Sequence, residues 1–577
     1  MAAAMFFKLP WTSRFRYPQG GALLLMICLW PGSRAFSQTD GGPIDQIAGG
    51  QSRTYPVRGT VVDSVTAQPI ARVLVNGQQD AVLTDKEGKF DLQLPGGTAQ
   101  ILLERPGYGQ PGLSAQHIVQ VAPDMPALTF QLTPNAVISG QVTLPSADTA
   151  DSIPILIYRK IVNNGHSQWT MQQMAMTNSE GVFRVSGLLP GPYLVYTQPQ
   201  RDQEDNRSPA LKSFGYPAVY YPGVVDPSAA SVLTLTAGQH AHADLPLMRQ
   251  PFYSVTVNIN AQEFGRGLAL QLCDAGGHML GFPIRQNGRQ GTAQFSVPDG
   301  SYFLQAMGGF QGANASQART YGRIDFKVAG APVTGLSITP LPLHPVPVNV
   351  RKDFTAVSAT LQQSGLGEGG PALAAGLSMV LTPADDFSNP TGGGGNLQLQ
   401  KGGSSFELDA VTPGRYWVTT FAFEGYVSAI TSGGVDLARE PLVIGPGSTS
   451  PPIEITLRND TGMIQVQLSD QAHTAAMYPA SQPPGEQTQS YIYAIPLFPF
   501  SGQVMQAGAS PSGEFTIGNL PPGTYRVVAF DAPEEIDFHS PESLAKYAGQ
   551  GDTVTVEAGA TANVQVHLGK SLNPDND

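Results

Sequence analysis

Cysteine is nearly absent from this sequence, which contains two in 577 residues. Cys28 lies in an apolar stretch near the N-terminus, and Cys273 stands alone in the body of the chain. If the N-terminal stretch is removed, a single cysteine remains, which excludes an intramolecular disulfide. We therefore expect Cys273, in the apolar segment Leu-Gln-Leu-Cys, to be a buried small hydrophobic residue.

Positive charge is also scarce, since 32 Lys and Arg stand against 44 Asp and Glu, for a formal net charge of −12. Binding to a nucleic acid requires a basic protein face, and binding to an anionic membrane surface is favoured by a polybasic segment. The charge balance therefore argues against both as partners, and we expect it to serve solubility.

Long apolar runs are missing after the N-terminus, where no 18 consecutive apolar residues occur. A membrane-spanning helix needs about 20, so no transmembrane span is predicted in the mature chain. At the N-terminus, three basic residues between positions 8 and 16 precede a short apolar core at 22–30. Small residues stand one and three positions before a cut after Ser37, as in a cleavable signal peptide.

Export follows from that signal, and we expect the protein to be secreted, periplasmic or on the cell surface. Two alternatives stay open at this point. The signal can be retained as an anchor, or Cys28 can carry a lipid, although Ile27 occupies the position where lipidation requires a small residue.

Glycine and proline, in contrast, are abundant, at 65 and 49 residues. They interrupt short apolar runs, which favours strands joined by turns over long helices. A Gly-x-Phe turn ends at Phe90, Phe183 and Phe515, and Phe295 and Phe406 continue the same period without the Gly-x. The period of about 110 residues is the size of one small β-sandwich.

The repeated segment continues from Gly-x-Phe into Pro-Gly-x-Tyr. Three copies place Phe and Tyr ten positions apart, at 183 and 193, 406 and 416, and 515 and 525. The copy ending at Tyr302 is shorter, and the copy beginning at Phe90 lacks the tyrosine. Turn residues between two alternating apolar segments are typical of a β-hairpin with one buried face, which is the structure we predict.

The predicted fold class is all-β, a tandem array of about five small β-sandwich modules, prealbumin-like or Ig-like, after a signal peptide. The predicted boundaries are 1–37 for the signal peptide, 38–54 for a flexible linker, 55–133, 134–249, 250–345, 346–458 and 459–569 for the five modules, and 570–577 for a disordered tail.

Several segments resemble a known family. Residues 57–63, 84–90 and 103–108 read Val-Arg-Gly-Thr-Val-Val-Asp, Thr-Asp-Lys-Glu-Gly-Lys-Phe and Leu-Glu-Arg-Pro-Gly-Tyr. This first module resembles the carboxypeptidase regulatory-like domain, a β-sandwich of the transthyretin-like or starch-binding-like group. The second and fifth modules are similar to it, and whether the third and fourth belong to the same family stays open. Residues 216–223, Tyr-Pro-Ala-Val-Tyr-Tyr-Pro-Gly, resemble exported acidobacterial proteins of unknown function.

The resemblance implies an accessory role, because such domains accompany metallocarboxypeptidases, outer-membrane receptors and polysaccharide enzymes. The matching residues are turn and core residues, which specify fold rather than activity. The sequence contains no Gly-x-Ser-x-Gly nucleophile elbow and no phosphate-binding Gly-Lys-Ser or Gly-Lys-Thr. We therefore predict a protein that is not an enzyme and takes no cofactor.

Three groups of residues carry side chains of the kind that bind metal ions. The sequence predicts no metal site: His240, His242 and Asp244 share one face of an extended strand and are only weak candidate ligands, because an exposed closing strand accounts for them better. His539-Ser-Pro-Glu matches part of a zinc carboxypeptidase motif, but Ser-Pro-Glu also marks a helix start. The acidic runs Glu534, Glu535 and Asp537, and Asp385 and Asp386, lack the spacing of a calcium loop.

Four aromatic residues are candidates for carbohydrate contact, because sugars stack on exposed rings. They are Trp169, Tyr216, Tyr220 and Tyr221. The alternative is that the Tyr-Tyr-Pro-Gly segment packs its loop onto the sheet.

The functional prediction is a non-catalytic exported protein that acts as a cell-envelope scaffold, spacer or adhesion protein. Its expected partners are a cell-wall or extracellular polysaccharide or another envelope protein. A carbohydrate-binding protein that uses starch-binding-like modules is the first alternative, and a hydrolase with an unrecognised site is the second.

Overall fold

Alternation of buried and exposed residues produces most of the strands. In the strand Gly462–Leu468 every second residue is buried, as the pleat of a half-buried strand requires. The computed structural model describes residues 53–77, 80–109, 116–123, 125–145, 149–201, 212–260, 268–309, 319–355, 376–385, 387, 397–399, 406–409, 411–447, 449–469, 490–507, 514–531 and 534–570. The predicted signal peptide, linker and tail, apart from residues 53, 54 and 570, lie outside these residues.

The first two modules contain eighteen described strands. In the first they are β1 (Thr54–Asp63), β2 (Leu74–Gly77), β3 (Asp80–Leu83), β4 (Lys89–Pro95), β5 (Gly97–Glu104), β6 (Tyr108–Gly109), β7 (Gln116–Val121) and β8 (Leu128–Pro134). In the second they are β9 (Ala136–Thr143), β10 (Pro154–Asn163), β11 (His166–Met176), β12 (Val182–Leu188), β13 (Gly191–Thr197), β14 (Gln200–Arg201), β15 (Lys212–Tyr216), β16 (Leu233–Leu235), β17 (His240–His242) and β18 (Leu245–Pro246), with a 3-10 helix at Pro227–Ala229.

The other three modules follow the same plan. The third contains β19 (Gln250–Ile259), β20 (Ala269–Asp274), β21 (Arg285–Asn287), β22 (Thr292–Val297), β23 (Gly300–Gly308), β24 (Thr320–Val328), β25 (Val333–Ile338) and β26 (Leu341–Pro342). The fourth contains β27 (Val346–Lys352), β28 (Leu377–Pro383), β29 (Leu397–Leu399), β30 (Phe406–Leu408), β31 (Gly414–Ala422), β32 (Tyr426–Ser432), β33 (Val435–Asp436), β34 (Leu442–Ile444) and β35 (Ile453–Arg458). The fifth contains β36 (Gly462–Leu468), β37 (Tyr491–Pro496), β38 (Met505–Ala507), β39 (Glu514–Leu520), β40 (Gly523–Phe530), helix α1 (Pro541–Lys546), β41 (Asp552–Val556), β42 (Thr561–Val566) and β43 (Leu568–Gly569).

One pairing rule recurs in all five modules. The opening strand pairs antiparallel with the strand that carries the repeated Phe and parallel with the closing strand, as β36 does with β39 and β42. A second sheet is built around the strand that follows the Phe strand, as in β38-β37-β40-β41. Each pair of sheets encloses its own hydrophobic cluster. The protein is thus a tandem array of β-sandwiches, which confirms the predicted fold class.

The repeated segment is not a hairpin, and that prediction is wrong. The Phe183 strand β12 pairs with β9, whereas the Tyr193 strand β13 pairs with β10 and β16, in the opposite sheet. The Phe and Tyr strands separate in the same way in the fifth module, where β39 pairs with β36 and β40 with β37. The turn therefore crosses from one sheet to the other. As a result, the Phe and the Tyr enter the core from opposite sheets.

A hydrogen bond fixes that crossing in four modules. Each repeated tyrosine donates its hydroxyl to the backbone carbonyl four residues earlier, as Tyr525 does to Pro521 at 2.7 Å. The same bond is made by Tyr193, Tyr302 and Tyr416. In the first module the equivalent residue is the buried Ala99, which has no hydroxyl. The tyrosine thus serves the fold, like the tyrosine corner of immunoglobulin-type sandwiches.

Two modules share a sheet. Strand β15 belongs to the predicted second module, yet it pairs with β19 of the third, in the order β14-β15-β19-β22-β21. No helix among the described residues is long and apolar enough to cross a membrane.

Candidate functional site

A long hairpin, β10–β11, places the side chains that join the second module to the fourth and fifth. Its two-residue turn, Asn164-Gly165, has φ angles of 51° and 78°, and Asn163 pairs with His166 across it. Positive φ at both positions defines a type I′ turn, for which Asn-Gly is a preferred sequence. The Asn-Asn-Gly-His segment was the signal for this hairpin, and the sequence analysis missed it.

The hairpin tip binds the fifth module through polar contacts. The Ser167 backbone N–H and hydroxyl both donate to Asp537 Oδ2, at 3.2 and 2.7 Å. The Arg159 guanidinium lies 3.2 Å from the Glu535 carboxylate, with both side chains largely screened from solvent. Partly buried ion pairs and hydrogen bonds to charged groups stabilise more than exposed ones, so these contacts hold the hairpin against the segment 534–540.

Three aromatic rings from three modules stack beside these bonds. The His166 ring lies 4.3 Å from that of Trp417 in the fourth module and 4.1 Å from that of His539 in the fifth, with interplanar angles of 10° and 6°. Burial, together with the neighbouring His539, lowers the pKa of His166 to about 3. Burial likewise lowers the pKa of His539 to about 4, against the opposing effect of Asp537. Both imidazoles are therefore neutral at pH 7.

The stack forms one wall of a cleft of about 690 Å³ between the three modules. Its lining combines Trp417, the carboxylate-bearing Asp385, the cationic Arg439 and the apolar Phe498. A second cleft of about 660 Å³, between the fourth and fifth modules, shares Phe498 and Pro499 with the first. The first cleft is the candidate functional site, because it combines the aromatic stack of three modules with charged side chains.

A second junction forms around Phe387 of the fourth module. Its ring contacts those of Trp169 and Tyr158 in the second module and that of His278 in the third, with centroids 6.3, 5.7 and 3.8 Å apart. Nearby, the Gln168 side-chain amide donates to the Pro383 carbonyl. The fourth module is thus held against two others.

His278 is buried at this junction and carries a polar network. Its Nδ1 lies 2.8 Å from Asp274 Oδ2 and 3.0 Å from the Tyr220 hydroxyl. The sequence analysis missed His278, because a single histidine in Gly-Gly-His-Met gives no pattern. Only its position between modules shows that it joins the second to the third.

Two of the four predicted carbohydrate contacts are buried and the other two are partly buried. Tyr216 and Tyr220 are 6% and 1% exposed, Tyr221 packs against the second core, and Trp169 packs against the cluster that includes Tyr220 and Phe387. The expected open platform is therefore not formed by the two buried tyrosines, since a sugar needs access to a ring face. Their placement matches the alternative, in which the Tyr-Tyr-Pro-Gly segment packs its loop onto the sheet.

The candidate metal ligands do not converge. On the exposed β17 segment, His242 Nε2 lies 2.9 Å from Asp244 Oδ1, and Asp244 also accepts from the Gln141 backbone N–H. Across the described part of the chain, no three His, Cys, Asp or Glu side chains come together in a way that could hold a metal ion.

The other candidate metal residues have separate roles. Glu534 accepts from the buried Tyr547 hydroxyl, Glu535 and Asp537 bind the hairpin, and Glu542 lies in the first turn of α1. Asp385 lines the cleft, and Asp386 is outside the described residues. Cys273 is free and buried, and burial raises the pKa of its thiol to about 12, as expected for a small apolar residue.

Comparison with known proteins gives neighbours of low similarity. No protein-family model matches the sequence, and no curated protein matches it. Among solved structures, GBS52, the minor pilin of Streptococcus agalactiae, shares 13% identity over 34% of this chain and 97% of its own, with a TM-score of 0.19. A streptococcal ancillary pilin shares 10% over 50% and 100%, with a TM-score of 0.17.

The TIE protein of Bacillus anthracis shares 12% identity over half of this chain, with a TM-score of 0.15, and the chain spans about half of that protein's length. These comparisons assign no family to the chain.

Proposed function

We propose that the protein is a non-catalytic exported scaffold whose modules are joined into one body that presents surfaces at fixed positions. The observation that carries this proposal is the β10–β11 hairpin, whose tip makes hydrogen bonds, an ion pair and ring stacks with two other modules. Independent modules in a flexible spacer move relative to one another by default. Specific bonds between modules that are distant in the sequence are not needed for that role.

The rest of the proposal concerns family and location. We propose that the first, second and fifth modules are carboxypeptidase regulatory-like domains and that the chain is exported by its N-terminal signal. N-terminal sequencing of the exported protein tests the second part. A mature chain that begins at Gln38 supports cleavage after Ser37, whereas an intact N-terminus in the cytoplasm contradicts export.

Distance measurement between spin labels tests the joined arrangement. Labels placed by Arg184→Cys in the second module and Thr553→Cys in the fifth, both exposed positions, report the separation of the two modules. We expect one narrow distance distribution for the otherwise unaltered protein and a broad one after Ser167→Ala and Asp537→Ala are combined. A matched control is Arg58→Ala, which removes an exposed ion pair inside the first module and should leave the distribution narrow.

Two results would contradict the scaffold proposal. A broad distribution in the unaltered protein would mean that the modules move independently. Turnover of a peptide, ester or glycoside that is abolished by His539→Ala would mean that the cleft is catalytic.

Carbohydrate binding is the second candidate, and the cleft is the observation that favours it. Trp417, Arg439 and Asp385 give it an aromatic surface with polar groups around it, the combination that sugar sites use. A screen of glycans and cell-wall polymers should then find a ligand whose affinity falls at least tenfold with Arg439→Ala. The control Arg58→Ala should bind normally, and equal binding by both variants would place the sugar elsewhere.

A further inference from the structure

Two histidines face each other where the hairpin tip meets the segment 534–540. The rings of His166 and His539 are nearly parallel, with centroids 4.1 Å apart and an interplanar angle of 6°. The Trp417 ring lies 4.3 Å from His166, and the Phe538 ring lies 4.1 Å from His539. The imidazole pair is thus packed against uncharged aromatic rings at the place where three modules meet.

The carboxylate beside the pair is already bonded. Asp537 accepts through Oδ2 from Ser167 and through Oδ1 from the Ser540 backbone N–H, at 3.1 Å. The other charged or titratable groups on the elements packed here are Arg159 paired with Glu535, Glu534 bonded to Tyr547, Arg439 paired with Asp436, Asp385 of the cleft, and Glu542 and Lys546 of α1. A proton on either imidazole therefore adds charge next to a carboxylate whose two oxygens already have donors.

From this arrangement we propose that the two histidines form an acid-sensitive latch between modules. Protonation of His166 and His539 releases the hairpin tip from the segment 534–540, and the second module then moves relative to the fifth. The inference rests on the scaffold proposal, because it concerns the regulation of the same junction and requires that the junction be closed at neutral pH.

The closed junction disfavours positive charge on both rings. Two imidazolium rings at this separation repel, and burial removes the water that would screen them. The pKa is accordingly about 3 for His166 and about 4 for His539 in the closed junction. When the junction opens, water reaches both rings and their pKa returns to the ordinary value of about 6.5. Between these values the open form binds up to two more protons than the closed form, so acid favours opening.

The use of two protons makes the response to pH steep. Lowering the pH from 7 to 5 multiplies the ratio of open to closed junctions by roughly 25 for each histidine, and by roughly 500 for both together. A junction that favours the closed form about 100-fold at pH 7 is therefore mostly open at pH 5. The latch thus opens at a pH well above the two pKa values of the closed form.

Distance measurement between spin labels as a function of pH tests the latch in the full protein. The labels Arg184→Cys and Thr553→Cys report the separation of the second and fifth modules. We expect one narrow distribution at pH 7, a second component that grows as the pH falls toward 4, and its loss on return to pH 7. His166→Phe and His539→Phe each keep an aromatic ring but remove one proton site. Each should reduce the growth between pH 7 and 5 from roughly 500-fold to roughly 25-fold, and the combined protein should stay closed.

Two controls complete the experiment. His240→Gln removes an exposed histidine outside the junction and should keep the full response to pH. Labels at two exposed positions inside the fifth module, Gln467→Cys and Thr553→Cys, should keep a narrow distribution, which separates opening from acid unfolding.

Three results would overturn the latch. They are a distance between the second and fifth modules that does not change from pH 7 to 4, opening of the double phenylalanine protein at the same pH as the unaltered one, and broadening of the distribution inside the fifth module at that pH. In each case a narrow distribution at pH 7 leaves the scaffold proposal standing, whereas a broad distribution at pH 7 contradicts the scaffold proposal itself.

Discussion

The two halves of strand β11 belong to one continuous strand but have different surroundings. Its first four residues, His166 to Trp169, contact the fourth and fifth modules through stacked rings, hydrogen bonds and a backbone bridge between Trp169 and Phe387. Its last seven, Thr170 to Met176, are mostly exposed and include a β-bulge at Gln172, the extra residue between Met171 and Gln173 in the ladder. The same strand thus forms an interface between modules at one end and carries three exposed methionines at the other.

The difference shows that position relative to other modules, and not residue type, decides the role of each half. Tryptophan and methionine are both apolar, yet Trp169 lies in an inter-module cluster while Met174 is left exposed. The contacts of the first half come from residues more than 200 positions away, such as Trp417 and Asp537. The comparison therefore predicts large effects from changes at the hairpin tip and small ones from changes at the exposed end of β11.

The largest effect is expected from Gly165→Ala. A Cβ at this position would lie 2.1 Å from the Phe538 ring, and the residue has a φ of +78°. A strained backbone and a clash at a packed contact together cost about 3 kcal/mol. We expect a lower thermal midpoint and faster hydrogen exchange at the tip and in residues 534–547.

The control for this prediction is Gly330→Ala. Its φ is +72°, and a Cβ there would meet nothing within 4 Å, so it has the backbone strain without the clash. Its cost should be about 1 kcal/mol, with hydrogen exchange at the hairpin unchanged. Equal effects of the two variants would mean that the contact between Gly165 and Phe538 contributes nothing in solution.

A smaller, pH-dependent effect is expected from His166. Its folded pKa of about 3 is below the ordinary value of about 6.5, so between these values the unfolded chain binds more protons than the folded one. The stability that neutral His166 contributes is present above pH 6.5 and is lost as the pH falls toward 3, with a slope of up to about 1.4 kcal/mol per pH unit. The thermal midpoint should therefore fall on acidification.

His166→Phe separates this effect from the titration of carboxylates elsewhere. Phenylalanine can keep the stack on Trp417 but cannot be protonated, so the midpoint should fall less steeply between pH 6.5 and 4. His240→Gln, at an exposed position, should keep the slope of the unaltered protein. The same slope in all three proteins would contradict a neutral, buried His166.

The sequence predicted the architecture because its signals are local. The five repeated phenylalanines and their turns indicate strands and a period of one sandwich, and all five phenylalanines are buried. The pairing of the segments was predicted wrongly, because the spacing of Phe183 and Tyr193 is compatible with a hairpin and with a crossing between sheets. The strand pairing settles it, because β12 and β13 lie in opposite sheets, and the hydroxyl of Tyr193, bonded to the Leu189 carbonyl, stabilises the crossing.

The candidate site was beyond sequence analysis for a different physical reason. His166, Trp417 and His539 are separated by 251 and 122 residues, and nothing in their local patterns indicates that they stack. Trp169 and Tyr220 were predicted as candidate carbohydrate contacts, but their packing against Phe387 and His278 depends on how the modules pack. One local signal was available and missed, the Asn-Gly turn that builds the hairpin.

The smallest effect is expected at the exposed end of β11. Replacing Met171, Met174 and Met176 together by leucine should change the free energy of unfolding by less than about 0.5 kcal/mol for each residue, because exposed side chains away from packed contacts contribute little. Thermal unfolding, beside Ser167→Ala as the contrast at the tip, is the measurement. A fall comparable to that of Ser167→Ala would mean that the methionines are already covered in solution, and dependence of the midpoint on protein concentration would identify a second copy of the chain as the cover. A midpoint that stays unchanged in the triple leucine protein, together with a lowered one in Ser167→Ala, would show that the strand's two halves differ in energy as they differ in contacts.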